Sequence, residues 1–216
     1  MKISFLLIVL CMHLYAGGYS STISPINANI KNRMVKGNSW KPNCPVKLKD
    51  LRYLQMSYID FSENSKTGEM IVHKNVAKDV VQIFKTLYVN KYPIRKMNLI
   101  SHYHGNDYRS IEADNTSAFN CRAVTGNKNK WSNHAYGKAI DINPIENPYI
   151  SKRGNCSHKK SKPYLTPKRV YHKNATTAQR AVLLKKGEAV KAFKKFGWRW
   201  GGDWKYIKDY QHFDKK

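Results

Sequence analysis

A chain of 216 residues with 41% hydrophobic and 12% aromatic content is long enough to bury one domain core and short for two. Its 39 Lys and Arg against 14 Asp and Glu give a formal net charge of +25, a field that gathers polyanions at the surface and weakens with salt. The basic residues are scattered through every segment, with no arginine-rich arm and no recognisable nucleic-acid module, so nucleic acid is not the expected partner.

Residues 1–16, MKISFLLIVLCMHLYA, carry one lysine, an apolar run from Ile3 to Met12 and the small Ala16 before two glycines. That is the layout of a secretory signal peptide, and the run is too short for a permanent spanning helix, so no stable membrane insertion is expected. Cys11 follows Leu10 rather than a small residue, which argues against lipidation. A secreted monomer, periplasmic or extracellular, is expected. For an exported cation, phosphate-rich or carboxylate-rich wall polymers, or an anionic membrane surface, are the fitting partners.

Residues 17–43 are polar and rich in Ser, Asn and Pro, predicting a mobile lead-in to a domain over 44–216. From Leu48 to Phe61, apolar and polar residues alternate, which predicts a strand. A turn through Glu63 to Gly68 leads to its hairpin partner at Met70 to Val72. Asn75 to Tyr88 places Val76, Val80, Val81, Ile83, Phe84 and Leu87 on one stripe and is the clearest helix. After Pro93, Met97 to Tyr103 reads as another strand. Gly105 to Lys130, dense in Asn, Asp, Ser and Arg, is a long polar loop or a pair of turns; such loops in compact domains are commonly functional or disordered. AIDI at 139–142 predicts a short buried strand entering the Asn143-Pro144 turn. Residues 149–174 form a basic surface excursion, and 175–196 is largely helical with a break at Gly187.

Export permits disulfides. Beyond the leader stand Cys44, Cys121 and Cys156, so one is left over within a single chain, and spacing alone does not choose the pair. No C-x-x-C occurs, which argues against a thiolate metal site.

Two short stretches carry chemistry. In SNHAYGKAID, His134 and Asp141 lie seven apart with Gly137 between them; near the C-terminus Asp209 and His212 are three apart. Two imidazoles, one carboxylate and a spare carboxylate make up the inventory of a catalytic zinc site with a position left for water. A loop turning at Gly137 and returning along the AIDI strand brings His134 and Asp141 together. On a helical turn, Asp209 and His212 share a face. Trp198, Trp200 and Trp204, with Gly201 and Gly202, form a packed wall beside the metal rather than a sugar-stacking platform.

With SNHAYGKAIDINP (132–144), FGWRWGGDW (196–204) and DYQHF (209–213), the chain resembles the zinc D-alanyl-D-alanine carboxypeptidase and L-alanyl-D-glutamate endopeptidase superfamily. Its signature is Ser-x-His-x-x-Gly-x-Ala-x-Asp followed downstream by an acid-x-x-His. The likeness continues through ADNTSAFNCR (113–122), PIRKMNLI (93–100) and CPVKLKDLRYL (44–54), from about Trp40 to Phe213. The resemblance implies an α+β domain, hedgehog/DD-peptidase-like, with a central antiparallel sheet, flanking helices and a metal groove. It implies one zinc ion held by His134, Asp141 and His212, with Asp209 as general base where many relatives carry Glu. It also implies an arginine for the anionic part of the substrate, here Arg122 with Arg109 second; a planar guanidinium pairs bidentately with a carboxylate. Ser132 corresponds to the family's serine, which braces the site or touches substrate. Asn115 and Asn120, with Asp114 and Ser117, order the loop or line the cleft, and both asparagines are candidates for substrate contact. The matching segments favour a Cys44–Cys121 bridge, worth roughly 4 kcal/mol by loop closure.

The expectation is a secreted zinc metallopeptidase hydrolysing peptide bonds in peptidoglycan stem peptides. The rivals are a non-catalytic, metal-retaining wall-binding module and a cationic nucleic-acid-binding or antibacterial protein.

Overall fold

The computed structural model describes residues 18–165 and 174–216; the signal-peptide expectation for 1–16 lies outside them. In chain order the elements are β1 (Ser21–Pro25), α1 (Ala28–Lys36), β2 (Leu51–Ile59), β3 (Ser65–His73), α2 (Ala77–Val89), α3 (Asp107–Glu112), β4 (Ala123–Val124), β5 (Asn127–Trp131) and β6 (Ala139–Asp141). There follow β7 (Tyr149–Ile150), α4 (Thr177–Arg180), α5 (Glu188–Lys195), β8 (Arg199–Trp200), β9 (Lys208–Asp209) and β10 (His212–Asp214). The α+β class holds. The single central sheet does not: the described strands divide into β1-β2-β3, β6-β10-β8, β4-β5 and β7-β9, all antiparallel.

The β2-β3 hairpin is buried on both faces, and its alternation shows how. Leu54, Met56, Met70 and Val72 face a core filled by Val80, Ile83, Phe84 and Leu87 of α2, Val190 and Phe193 of α5, and Trp198, Trp200 and Phe213. Leu51, Tyr53 and Ile71, on the other face, pack with Ile30 and Met34 of α1 and with Leu99, Phe119 and Cys121. Period-two side chains thus serve two separate cores from one ribbon.

This second core corrects the mobile lead-in. Its polar composition hid an edge strand and an amphipathic helix. β1 pairs with β2 over five residues, Asn27 caps α1 by accepting from the Ile30 N–H, and Arg33 clamps Glu69 through two 2.7 Å bonds. The helix at 77–89 matches its stripe. Met97 to Tyr103 is not a strand: Ile100–Tyr103 is a 3₁₀ turn, because Leu99 and Ile100 bury from a turn instead of pairing in a ladder. The polar stretch 105–130 contains α3 and the β4-β5 hairpin. Only 177–180 and 188–195 are helical within 175–196, with Gly187 capping α5. In the basic excursion, His158 and Ser161 are buried, and His158 meets Glu112 at 2.9 Å.

Where β6 exits, Asn143 takes a left-handed φ of 40°, which Asn tolerates, and its side chain bonds Arg95 N–H and Pro93 O. Beneath this turn Asp114 and Glu146 are buried together. Arg95 lies 3.4 Å from one and 3.6 Å from the other. Burial first, then the charge and hydrogen bond of Asp114, push the Glu146 carboxyl up to about 9. A carboxyl that holds its proton more tightly folded than unfolded contributes stability that is complete below its ordinary pKa of 4.5 and declines as pH rises towards 9. Glu146→Gln is therefore expected to gain in melting temperature over the parent between pH values of about 5 and 8; a difference independent of pH would show that no proton is retained.

Candidate metal centre

Ser132 opens the site by capping a 3₁₀ turn, Asn133–Tyr136, its Oγ accepting from the His134 N–H at 3.3 Å. The turn closes at Gly137 with φ of 66°, where a Cβ would sit 2.6 Å from His73 N; only glycine fits this backbone and this approach. The chain then returns along β6, as the sequence predicts. β10 pairs with β6 so that His212 stands directly opposite Asp141. The helical turn expected for Asp209 and His212 is replaced by two strand ends, β9 and β10, with the turn at 210–211 between them. β9 is pinned by pairing with β7. Gly201 lets the backbone close on Asp209, since a Cβ there would lie 2.4 Å from Asp209 O.

These elements bring three of the expected side chains to one point. His134 Nε2 is 3.2 Å from Asp141 Oδ2 and 3.3 Å from His212 Nδ1, and His212 Nδ1 is 3.0 Å from Asp141 Oδ1. The side chains are 4%, 13% and 10% exposed. A tetrahedral zinc with bonds of about 2.0–2.2 Å requires neighbouring ligand atoms roughly 3.3 Å apart. The donor set and its spacing fit such an ion, and three protein donors leave a position open. Among the described residues no other group of His, Cys, Asp or Glu is so arranged.

The partners behind these donors were not foreseen. His134 Nδ1 meets Ala118 O at 2.6 Å, which turns Nε2 inward. His212 Nε2 faces Asp214 Oδ2 at 3.8 Å. Asp214 is fully buried and held by Arg199 at 2.8 and 2.7 Å and by Asn133 at 2.6 Å. The signal was present in the sequence: His212 and Asp214 are two apart on one strand and share a face, and Arg199 is the cross-strand partner of Asp214. Such carboxylates orient a ligating imidazole and raise its basicity. Burial opposes ionisation of Asp214, yet the facing His212 imidazole and the hydrogen bonds from Arg199 hold its carboxyl down at about 2.

The donors themselves are strongly coupled. Burial disfavours a charge on His212, but the hydrogen bond to Asp141 and the facing carboxylates of Asp214 and Asp209 push its imidazolium up to about 10. Asp141 stays ionised far below the ordinary range: burial opposes this, and the two imidazoles overcome it. Asp209 is lifted to about 6 by burial and by the charge of Asp141, against the pull of His212 and His134. Its Oδ1 is enclosed and has no hydrogen-bond partner.

The other expected residues take different places. Arg122 is ion-paired with Asp107 and bonds Ala123 O at 3.1 Å, while Arg109 is exposed on α3. Asn115 and Asn120 are buried and their amides are used internally, which corrects their candidacy for substrate contact. Asn115 bonds the Asn98 backbone and Ser110, and Asn120 bonds Gly105 O and Asp107. Both order the segment 117–120, which backs the donors: Ser117 exchanges two backbone bonds with Asp141, and Asn120 N–H donates to His134 O. Cys44 and Cys121 form a disulfide at the end of that segment, and Cys156 is free. Trp204 lies 5.5 Å from the His212 ring, whereas Trp198 and Trp200 belong to the core. His73, His102, His104 and His158 stand outside the donor group, and His172 lies outside the described residues.

Over residues 125–215 the chain matches the family model described as D-alanyl-D-alanine carboxypeptidase. The superfamily resemblance holds. The matched stretch contains His134, Asp141, Asp209, His212 and Asp214 and begins after Arg122, a narrower span than the 40–213 drawn from the motifs. No curated protein and no solved structure matches the chain. Among the described residues no helix is long and apolar enough to cross a membrane.

Proposed function

We propose that the chain is a secreted, zinc-dependent peptidase of the D-alanyl-D-alanine carboxypeptidase kind, with the hedgehog/DD-peptidase arrangement, acting on peptide bonds in peptidoglycan stem peptides. The observation that carries this reading is the triangle of His134, Asp141 and His212 at 3.0–3.3 Å beside an unpartnered Asp209 oxygen, inside the matched stretch.

His134 through Nε2, His212 through Nδ1 and Asp141 would hold the ion. Bound there, zinc supplies a Lewis acid and lowers the pKa of water. Asp209 takes the proton of the attacking water at Oδ1; burial lifts its carboxyl to about 6 in the metal-free chain, so it is ionised at neutral pH, and a bound cation favours that form further. It then returns that proton to the departing amine. Asp214 holds His212 in orientation. Arg122 is assigned to an anionic part of the substrate, exchanging Asp107 for the substrate's carboxylate. Ser132 braces the His134 turn.

Asp214→Asn keeps the shape of the supporting group and removes its charge, and it is expected to weaken zinc affinity about 10–100-fold, as read by chelator competition. The function itself is tested on purified peptidoglycan. Peptide release that stops with a chelator and returns with zinc supports the peptidase; release insensitive to chelator, or none at all, overturns it.

A further inference from the structure

Away from the donor triangle, the loop that carries it contributes to a second recess. Gly137 and its neighbours abut the end of β3, and between them and the 45–50 segment lies a groove of ≈480 Å³ whose lining includes Lys47, Lys49, Asp50, His73, Tyr136 and Lys138. The volume falls in the range of small-ligand sites. Its walls are fixed: His73 N–H donates to Gly137 O at 2.8 Å, Lys74 N–H to Asp50 O at 2.7 Å, and the Cys44 disulfide anchors the near end of the 45–50 segment.

The charge in the groove is one-sided. Its single acid, Asp50, is paired with Lys74 at 2.7 Å. Lys47, Lys49 and Lys138 have no ion-pair partner among the described residues. The His73 imidazole is held below its ordinary pKa, by burial first and then by Lys138, Lys74 and Arg52 against Asp50 alone. Tyr136, 38% exposed, adds an aromatic face. Arg52 does not line the groove and its Nη1 is taken by the carbonyls of Lys49 and Leu51, so the cations of the lining are ammonium groups, compact point charges suited to phosphate without the planar fork that selects carboxylate. A recess lined by one sign of charge focuses the field above that of a flat surface.

We propose that this groove binds one linear phosphodiester polymer of the cell envelope, held through Lys47, Lys49 and Lys138 with Tyr136 against its backbone. The groove stands on its own geometry; the choice of a wall polymer over nucleic acid rests on the peptidase reading. Tyr136 and Lys138 belong to the loop between His134 and Asp141, so occupancy places the polymer beside the turn that carries the triangle.

The test is a binding titration of the whole chain with poly(glycerol phosphate), and with a single-stranded oligonucleotide of equal charge. Lys47→Gln, Lys49→Gln and Lys138→Gln combined should lower affinity for poly(glycerol phosphate) about tenfold and reduce the slope of log K against log salt by about two. A matched variant, Lys66→Gln, Lys78→Gln and Lys195→Gln, removes the same charge from exposed positions elsewhere and should leave both nearly unchanged. Equal losses in the two variants would assign binding to diffuse charge and overturn the groove. Tighter, groove-dependent binding of the oligonucleotide would overturn the choice of polymer. Unchanged melting temperatures confirm that the variants fold. Peptide release is measured separately, so a groove that binds in a chain that does not cut refutes only the peptidase.

Discussion

Asp209→Asn lowers kcat on a stem-peptide substrate by about 10²–10⁴-fold, the range for loss of a positioned general base, while bound zinc per chain stays the same. The substitution is isosteric and removes only the ability to accept a proton. In the folded chain Gln211 hydrogen-bonds the carboxylate but Oδ1 has no partner, so one oxygen is left for a molecule in the site. The pH profile supplies a second readout. Asp209 must be ionised to act, so the parent's rate rises along an acid limb that the variant loses; burial lifts the metal-free carboxyl to about 6, and the charge of a bound ion moves the limb below that value. A kcat within a few-fold of the parent would assign proton transfer to another group.

Zinc affinity rises about a hundredfold between pH values of about 6 and 8, one factor of ten per unit. Without metal, His212 holds its proton up to about 10, since Asp141 and Asp214 flank it; Nδ1 offers a lone pair only after that proton leaves. Asp141 is already ionised through the whole interval and adds nothing to the slope. The raised His212 value also stabilises the metal-free fold, fully below the ordinary imidazole pKa of 6.5 and no longer above about 10. Competition with a chromophoric chelator across this interval, with release of about one proton per ion in weak buffer, measures the effect. An affinity flat in pH would mean that the donors do not share a proton.

The convergence of His134, Asp141 and His212 was legible in the sequence because it is carried by residue type at fixed spacing, and Gly137 marks the turn that allows it. The α2 helix was legible from its apolar stripe, and the hairpin from alternation. What composition hid was tertiary. Residues 21–36 look like a linker because only Ile30 and Met34 of α1 are buried, and the helix is held by the ion pair of Arg33 with Glu69, 36 residues away, which no local pattern displays. Asn115 and Asn120 were ambiguous for the same reason: an amide that orders a loop and one that meets a ligand have the same letter, and only burial separates them. Asp214 escaped notice although its two-residue offset from His212 was in plain view, because its role depends on Arg199 lying across the strand.

The pairing of β6 with β10 has a consequence for how this protein can vary. Two donors 71 positions apart are brought face to face by the antiparallel alignment of three residue pairs, and sliding either strand by a single position would turn His212 to the wrong side of the ribbon. Insertions and deletions are therefore expected only in the loops that join the intervening elements, where β8 keeps its pairing with β10 and β9 its pairing with β7. Diversification of what is recognised has room in those loops, while the geometry of the His134, Asp141 and His212 triangle is inherited whole or lost whole.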